Sequence, residues 1–161
     1  MIKLFESCFL SAYPDPLSGN LPITIGFGAT VKLNGQPWKL GDRITQDEAE
    51  HLLNHQLSTS YLPTIAATVP FWNEMNDNQR GALLSFCYNL GQFMKGGNFD
   101  TLRSALHEKR WSDIPKILLM YRNPDSRVEL GLKRRRYTEG LVWTGVNVQI
   151  AFSRAQREVA I

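Results

Sequence analysis

A cluster of turn-forming residues between positions 14 and 35 most constrains what this chain can fold into. The cluster contains Pro14, Asp15, Pro16, Ser18, Gly19 and Pro22, followed by Asn34-Gly35. Prolines and glycines at this density end any helix that precedes them. From Thr45 to about residue 143, apolar residues recur at helical spacing. The chain is therefore expected to combine a small β-rich segment with a mainly helical body.

The segment between these turns has a strand pattern. Ile23 to Lys32 alternates β-branched and aromatic residues with glycine, which is typical of short paired strands. Asn34-Gly35 is the strongest short hairpin signal. We expect residues 13 to about 43 to form a small β lobe.

The first ten residues predict a helix. Ile2, Phe5, Phe9 and Leu10 are spaced as on one helical face, and Glu6 falls on that face. An acidic residue in an apolar stripe is costly to bury unless it is paired or protonated. Glu6 is therefore a candidate functional residue. Because it interrupts the apolar stretch and no small-residue cleavage site follows, we interpret this segment as mature structure and not as a secretion signal.

Capping boxes mark two later helix starts. Thr45 with Glu48 begins one helix, and Asn76 with Gln79 begins another that ends near Gly91. Other amphipathic stretches, which also predict helices, lie at about 63–70, 99–109, 113–121 and 130–143.

The predicted fold class is α+β. We expect an N-terminal helix and a small β-hairpin lobe packed against a mainly helical lobe, with a cleft between them. At 161 residues, a single domain is expected over residues 1–161, with about 1–12 and 45–143 in the helical lobe. The tail, 144–161, is partly helical after Gln149 in this interpretation and has no assigned role.

The amino-acid composition limits the possible classes of partner but does not identify one. The net charge of +3 and the pI near 9.0 fit a polyanionic partner, and both nucleic acid and the anionic bacterial wall qualify. No apolar run approaches the roughly 20 residues of a membrane span. The cysteines are Cys8 and Cys87, which is too few for a disulfide framework or a metal site, and both are expected to be core residues.

Three blocks of sequence resemble the phage-type lysozymes, glycoside hydrolases of the T4 and lambdoid endolysin kind (glycoside hydrolase family 24). The first block contains Phe5-Glu6, Ala12 to Pro16 and Thr24 to Gly28; the second is Asn78 to Gly91; the third is Gly131 to Arg136 with Glu139. They occur in the family's order and cover residues 1 to about 143. The chain departs from the family pattern at Ser7, at Ala29, and in an interval between Asp15 and Thr24 that is three residues longer than usual.

The resemblance implies a function and a set of catalytic residues. It implies cleavage of the β-1,4 bond between N-acetylmuramic acid and N-acetylglucosamine in peptidoglycan, with inversion and without a cofactor or metal. Glu6 falls on the catalytic acid, Asp15 on the second carboxylate that orients or activates water, and Thr24 on the hydroxyl that helps to hold that water. Glu6 in an apolar stripe would favour its neutral form, and Asp15 in a polar turn would stay ionised.

Further residues are implied near this site. The resemblance suggests that an arginine of the final helix, Arg135 or Arg136, holds the catalytic acid in place. Asn89 would lie near the cleft floor and bind Glu6 or substrate; its alternative role is a capping residue beside Gly91. Trp38, Trp72, Trp111 and Trp143 are expected to pack in the interior or at an interface.

Alternative functions remain open at this point. A catalytically inactive peptidoglycan-binding module has the same fold, and a related glycosidase would act on chitin or chitosan. The basic run Lys133 to Arg136 resembles a nucleic-acid patch, but its four side chains point in different directions on a helix. We expect a monomer that binds glycan strands and neither nucleic acid nor membrane. Like endolysins of this type, it would wait in the host cytoplasm until it reaches the wall.

Overall fold

The computed structural model describes residues 1–15, 19–91 and 97–160. The predicted turn residues Pro16 and Ser18 lie outside these ranges. The chain forms two compact units. We call Ile2–Leu62 the N-terminal unit, and Pro63–Ile161 together with Met1 the C-terminal unit.

The prediction of a helix over the first ten residues is wrong. Only one 3-10 turn forms, at Ile2–Leu4, and strand β1 follows at Phe9–Pro14. On the edge away from its hairpin partner, β1 is bonded through Ala12 N–H to the Asp42 carbonyl at 2.9 Å. A short isolated helix is marginal in water, so these long-range backbone bonds outweigh the helical spacing of the apolar residues.

The two-stranded sheet is an antiparallel hairpin of β1 with β2, Ile23–Gly26. Tyr13 lies opposite Thr24, whereas Phe9 lies opposite Gly26. Four steps along β1 therefore match two along β2, and β1 bulges between Phe9 and Tyr13. The predicted turn at Asn34-Gly35 is confirmed by the Gly35 N–H, which donates to the Lys32 carbonyl at 2.9 Å.

Helix α1, Gln46–Gln56, packs on this hairpin and closes the core of the N-terminal unit. Its predicted capping box is present, since the Thr45 hydroxyl accepts from Glu48 N–H while the Glu48 carboxylate accepts from Thr45 N–H. The core consists of Ile25, Ala29 and Leu52, with Ala12, Trp38 and Ile44 against it. Residues 2–12 and α1 thus belong to the unit that holds the hairpin, whereas the sequence assigned them to the helical lobe. A π-helical segment, Leu57–Tyr61, continues α1.

The remaining helices are α2 (Leu62–Thr68), α3 (Asp77–Leu90), α4 (Asp100–His107), α5 (Ile114–Leu118), α6 (Glu129–Trp143) and α7 (Val148–Glu158). The predicted capping box of Asn76 and Gln79 begins α3, and Gly91 ends it. The fully buried core side chains of this part include Leu83, Phe86, Leu102, Ile114 and Leu118. The predicted α+β class is confirmed: the described chain is mostly helical with one small antiparallel hairpin.

The tail forms α7, which packs against α6. Ala151 and Ala155 of α7 are completely buried. The Lys133 ammonium donates to the carbonyl of Ala160 at 2.7 Å, and the Arg134 guanidinium donates to that of Gln156 at 3.3 Å. Cations at a helix C-terminus satisfy carbonyls that have no partner within the helix. The tail is therefore an integral part of the C-terminal unit.

Candidate active site

The candidate catalytic residues Glu6, Asp15 and Thr24 all lie in the N-terminal unit. Glu6 is half-buried and directly follows the 3-10 turn, with its N–H bonded to the Ile2 carbonyl at 3.1 Å. The apolar helical stripe that the sequence placed around Glu6 does not form, because Phe9 and Leu10 belong to β1. The inference of a neutral Glu6 from that stripe therefore loses its basis.

Asp15 and Thr24 are held by the same backbone carbonyl. The Asp15 N–H donates to the Pro22 carbonyl at 3.2 Å, and the Thr24 hydroxyl donates to that same oxygen at 3.3 Å. The Asp15 N–H also reaches the Asn20 carbonyl at 3.0 Å, and the Asp15 carbonyl accepts from Gly19 N–H at 2.7 Å. At the loop end of the hairpin, the Asp15 backbone and the Thr24 hydroxyl are thus held on one carbonyl oxygen.

Tyr13 feels the charge of both candidate carboxyls. Burial raises the pKa of the Tyr13 phenol, and the negative charges of Asp15 and then Glu6 raise it further. Each carboxylate disfavours a second negative charge, which is why the pKa moves in this direction. Sequence analysis gave Tyr13 no role, although its position two residues before Asp15 was a usable signal. A neutral phenol beside two carboxyls is able to donate a hydrogen bond to a carboxylate or a sugar oxygen.

Ala29, one of the departures from the family pattern, has a structural role here. It is buried in the core of the N-terminal unit and exchanges two backbone hydrogen bonds with Ile25, at 2.9 and 3.0 Å. These bonds close the tight turn after β2. Gly26 and Gly28 within this turn have φ values of +63° and +103°, a conformation that favours glycine.

Arg135 and Arg136 converge on one buried carboxylate in the C-terminal unit. Arg135 Nε lies 3.3 Å from Glu139 Oε1, and Arg136 Nε lies 3.1 Å from Glu139 Oε2. Ser85 on α3 donates its hydroxyl hydrogen to Glu139 Oε1 at 2.7 Å. Burial raises the pKa of the Glu139 carboxyl, and both guanidinium groups and the Ser85 hydroxyl oppose that rise. Sequence analysis placed Glu139 in the matching block but did not recognise it as the centre of this network.

Asn89 is joined to the same network. Its Oδ1 accepts a hydrogen bond from Arg136 Nη2 at 2.9 Å, and the Arg136 guanidinium lies 4.6 Å from the centre of the Phe86 ring. Asn89 therefore binds an arginine of α6, a role that the sequence did not predict. The contact of Arg135 or Arg136 with Glu6 stays a prediction, as does the contact of Asn89 with Glu6 or substrate.

The basic run on α6 makes contacts within the C-terminal unit. Arg135 is 3% exposed and Arg136 is completely buried, and both face Glu139. Lys133 and Arg134 are engaged with the end of α7. A phosphate-binding surface needs accessible cations, and the two buried arginines do not provide them.

Within the described ranges, no group of His, Cys, Asp and Glu side chains has the arrangement of a metal site. No described helix is long and apolar enough to cross a membrane.

Comparison with known proteins identifies the class of this fold and site. The family model described as phage lysozyme matches residues 3–139. The chain therefore belongs to the phage lysozyme family. The endolysin of Salmonella phage P22 is 29% identical over 141 residues, which cover 87% of this chain and 90% of that protein.

Solved structures agree with this assignment. A point variant of P22 lysozyme superposes with a TM-score of 0.73 at 25% identity, covering 89% of this chain and 92% of that one. The endolysin of Escherichia coli O157:H7 phage FAHEc1 gives a TM-score of 0.68 at 26% identity, covering 89% and 88%. The active form of P1 phage endolysin Lyz shares the fold at 20% identity, with a TM-score of 0.69 and coverage of 91% and 83%.

One similar protein has a different description. An NADPH-dependent aldehyde reductase of Escherichia coli (strain K12) is 25% identical over 155 residues. The match covers 91% of this chain, but the chain spans only 39% of that protein's length. By contrast, the phage lysozyme family model matches residues 3–139 of this chain. Each of the three endolysin structures matches at least 89% of this chain and at least 83% of its own length. As a member of the phage lysozyme family, the chain is a glycoside hydrolase of the lysozyme class.

Proposed function

We propose that this lysozyme hydrolyses the β-1,4 bond between N-acetylmuramic acid and N-acetylglucosamine, with Glu6 as general acid and Asp15 activating or orienting water. The observation that carries the proposal is the shared Pro22 carbonyl, which tethers the Asp15 backbone and the Thr24 hydroxyl side by side. The negative charges of Asp15 and Glu6 both raise the Tyr13 pKa, and this shared electrostatic influence supports the assignment of the two carboxyls to one site. Thr24 then helps to hold the attacking water.

The reaction uses two carboxyl groups in different roles. Glu6 protonates the leaving glycosidic oxygen as its bond to the anomeric carbon breaks, while Thr24 and Asp15 hold water at the opposite face of the sugar ring and the Asp15 carboxylate accepts that water's proton as the new C–O bond forms. In an inverting enzyme the two carboxyls stand roughly 6.5–9.5 Å apart, which leaves room for that water. The oxocarbenium-like charge at the anomeric carbon is stabilised by ionised Asp15. The product is released with inverted configuration, and no covalent enzyme intermediate forms.

The proposal is tested by turbidity clearing of bacterial wall suspensions. Glu6→Gln is expected to retain the melting temperature and to lower the clearing rate by about a hundredfold or more, since general acid catalysis typically contributes 10²–10⁴. The matched control is Glu50→Gln, because Glu50 is an exposed glutamate in the same unit that pairs with Lys3 at the surface. Clearing by Glu6→Gln at the rate of the control overturns the acid assignment.

Product analysis tests the linkage and the stereochemistry. Mass spectrometry of digested peptidoglycan is expected to show N-acetylmuramic acid at the new reducing ends, and NMR of early product is expected to show the inverted anomer. Reducing-end N-acetylglucosamine, or activity only on chitin, would exclude the muramidase specificity. Binding to walls without clearing by the unmutated protein would favour an inactive wall-binding module.

The proposal extends to cellular context. The protein acts on the bacterial wall, as the endolysin relatives indicate, and we propose that it does so as a monomer that waits in the host cytoplasm before its release. Size-exclusion chromatography with light scattering tests the monomer, and fractionation of producing cells before lysis tests the location.

A further inference from the structure

The hairpin has two faces, and one of them is committed to the core. Ile25 of β2 is completely buried in the core of the N-terminal unit, and Ala12 of β1 packs against it. Successive side chains of a regular strand point to opposite faces, so Thr24, which precedes Ile25 in β2, points away from this core. Tyr13 and Thr24 lie directly opposite each other and therefore share a face.

A second aromatic ring extends this face. The Phe9 ring meets the Tyr13 ring edge to face, with ring centres 4.8 Å apart and planes at 60°. Tyr13 is half-buried, whereas half of the Phe9 side chain is open to solvent, an unusual state for a large aromatic residue in a strand. The backbone of β1 is bonded along both edges, which gives the pair a rigid support.

The Phe9–Tyr13 pair lies next to the candidate catalytic residues of the hairpin. Tyr13 lies opposite Thr24, is separated from Asp15 by one residue, and lies within the electrostatic reach of Asp15 and Glu6. An exposed aromatic surface next to a polar reaction site is the usual composition of a small-molecule subsite, in which apolar contact gives affinity and a few polar groups fix orientation.

We propose that Phe9 and Tyr13 form a binding platform for one pyranose ring of the glycan strand, beside the bond that is cleaved. This inference rests on the proposed function and adds a substrate-binding role to residues that sequence analysis did not include in the site. The C–H groups on the face of a pyranose ring are electropositive, and the faces of aromatic rings are electronegative. Phe9 supplies the exposed apolar contact, and the Tyr13 hydroxyl supplies a hydrogen bond to a sugar oxygen.

The test measures binding separately from catalysis. The probe is the soluble tetrasaccharide of alternating N-acetylglucosamine and N-acetylmuramic acid, titrated calorimetrically into Glu6→Gln, which binds but does not cleave. Adding Phe9→Ala is expected to weaken binding about fivefold, the order of one aromatic stacking contact. Phe9→Tyr retains an aromatic face and is expected to keep the parental affinity. Leu40→Ala is the matched control, because Leu40 is an apolar residue of the same unit that is 64% exposed and lies outside β1 and β2.

A kinetic readout distinguishes a binding role from a structural one. With Glu6 intact, Phe9→Ala is expected to raise KM on wall suspensions about fivefold, with kcat and melting temperature nearly unchanged. Equal affinities for Phe9→Ala and Leu40→Ala, a fall in kcat alone, or failure of the Glu6→Gln parent to bind the tetrasaccharide each overturns the platform. If the unmutated enzyme does not clear walls, the proposed function fails instead; if it clears walls while Phe9→Ala behaves as wild type, only the platform fails.

Discussion

Arg136 and Glu139 form an ion pair on α6 in which both side chains are completely buried, with Nε of Arg136 3.1 Å from Oε2 of Glu139. Arg135, the neighbouring cation, shares the same carboxylate from a side chain that is 3% exposed. The Glu139 carboxylate therefore contacts two buried guanidinium groups, and Ser85 of α3 joins the network through its hydroxyl. The network connects α6 to α3 at the centre of the C-terminal unit.

Glu139→Gln is expected to destabilise the protein strongly, because it removes the carboxylate charge that both buried guanidinium groups contact. Removing one partner of a buried pair typically costs about 3–5 kcal/mol. Urea unfolding followed by circular dichroism measures the change. The control is Glu74→Gln, which removes the exposed carboxylate that pairs with Lys109 at 2.7 Å and should cost far less. Similar losses in the two variants would show that burial of the Glu139 network does not govern stability.

Replacement of two glycines of α6 by alanine is expected to change the stability of the protein in opposite directions. A Cβ on Gly140 would lie 3.1 Å from Pro115 Cβ and 3.2 Å from Pro115 Cα, whereas a Cβ on Gly131 would meet nothing within 4 Å. Gly131→Ala should stabilise the protein by about 0.5–1 kcal/mol, since alanine loses less backbone entropy in a helix. Gly140→Ala should destabilise it, because α5 and α6 must separate. Thermal unfolding of both variants checks this, and a gain in stability from Gly140→Ala would contradict the close packing.

The N-cap of α3 is expected to contribute measurably to stability. Asn76 accepts from Gln79 N–H at 3.0 Å through its side chain, and the Gln79 side chain accepts from Asn76 N–H at 3.0 Å. Asn76→Ala removes the first bond and should cost about 1 kcal/mol. Asn76→Asp keeps an acceptor at the same place and should retain most of the stability. Chemical denaturation measures both, and equal losses would indicate that the side-chain acceptor is not responsible.

The raised pKa of Tyr13 predicts that the free energy of unfolding falls in alkaline solution. The pKa of the phenol is raised in the folded protein by burial and by the charges of Asp15 and Glu6, so the native state retains its proton more strongly than the unfolded state. This contribution is complete below the unfolded pKa of about 10 and is lost as the pH rises through the folded pKa. The wild type should therefore lose more stability than Tyr13→Phe between neutral pH and a pH above 10. Urea midpoints at the two pH values measure the difference, and parallel losses would contradict the shift.

The sequence alone predicted the local features of the chain, namely its helix caps and its tight turn. Thr45 with Glu48, Asn76 with Gln79, and Asn34-Gly35 each act over at most four residues, so their capping and turn geometry follows from neighbouring side chains. The ordered motifs around Glu6, Asp15 and Thr24 indicated the lysozyme family for the same reason, because they are properties of sequence and spacing.

Contacts between residues that are far apart in the sequence could not be predicted from it and are determined by the tertiary structure. Phe9 and Leu10 have helical spacing, yet they form a strand because Gly26 and Ile44 offer backbone partners from elsewhere in the chain. Arg135 and Arg136 both contact Glu139 because a buried cation in the low-dielectric interior is costly unless it lies beside an opposite charge. The docking of α7 on α6 and the influence of both carboxyls on the Tyr13 pKa have the same origin: long-range packing selects among conformations that local preference leaves close in energy.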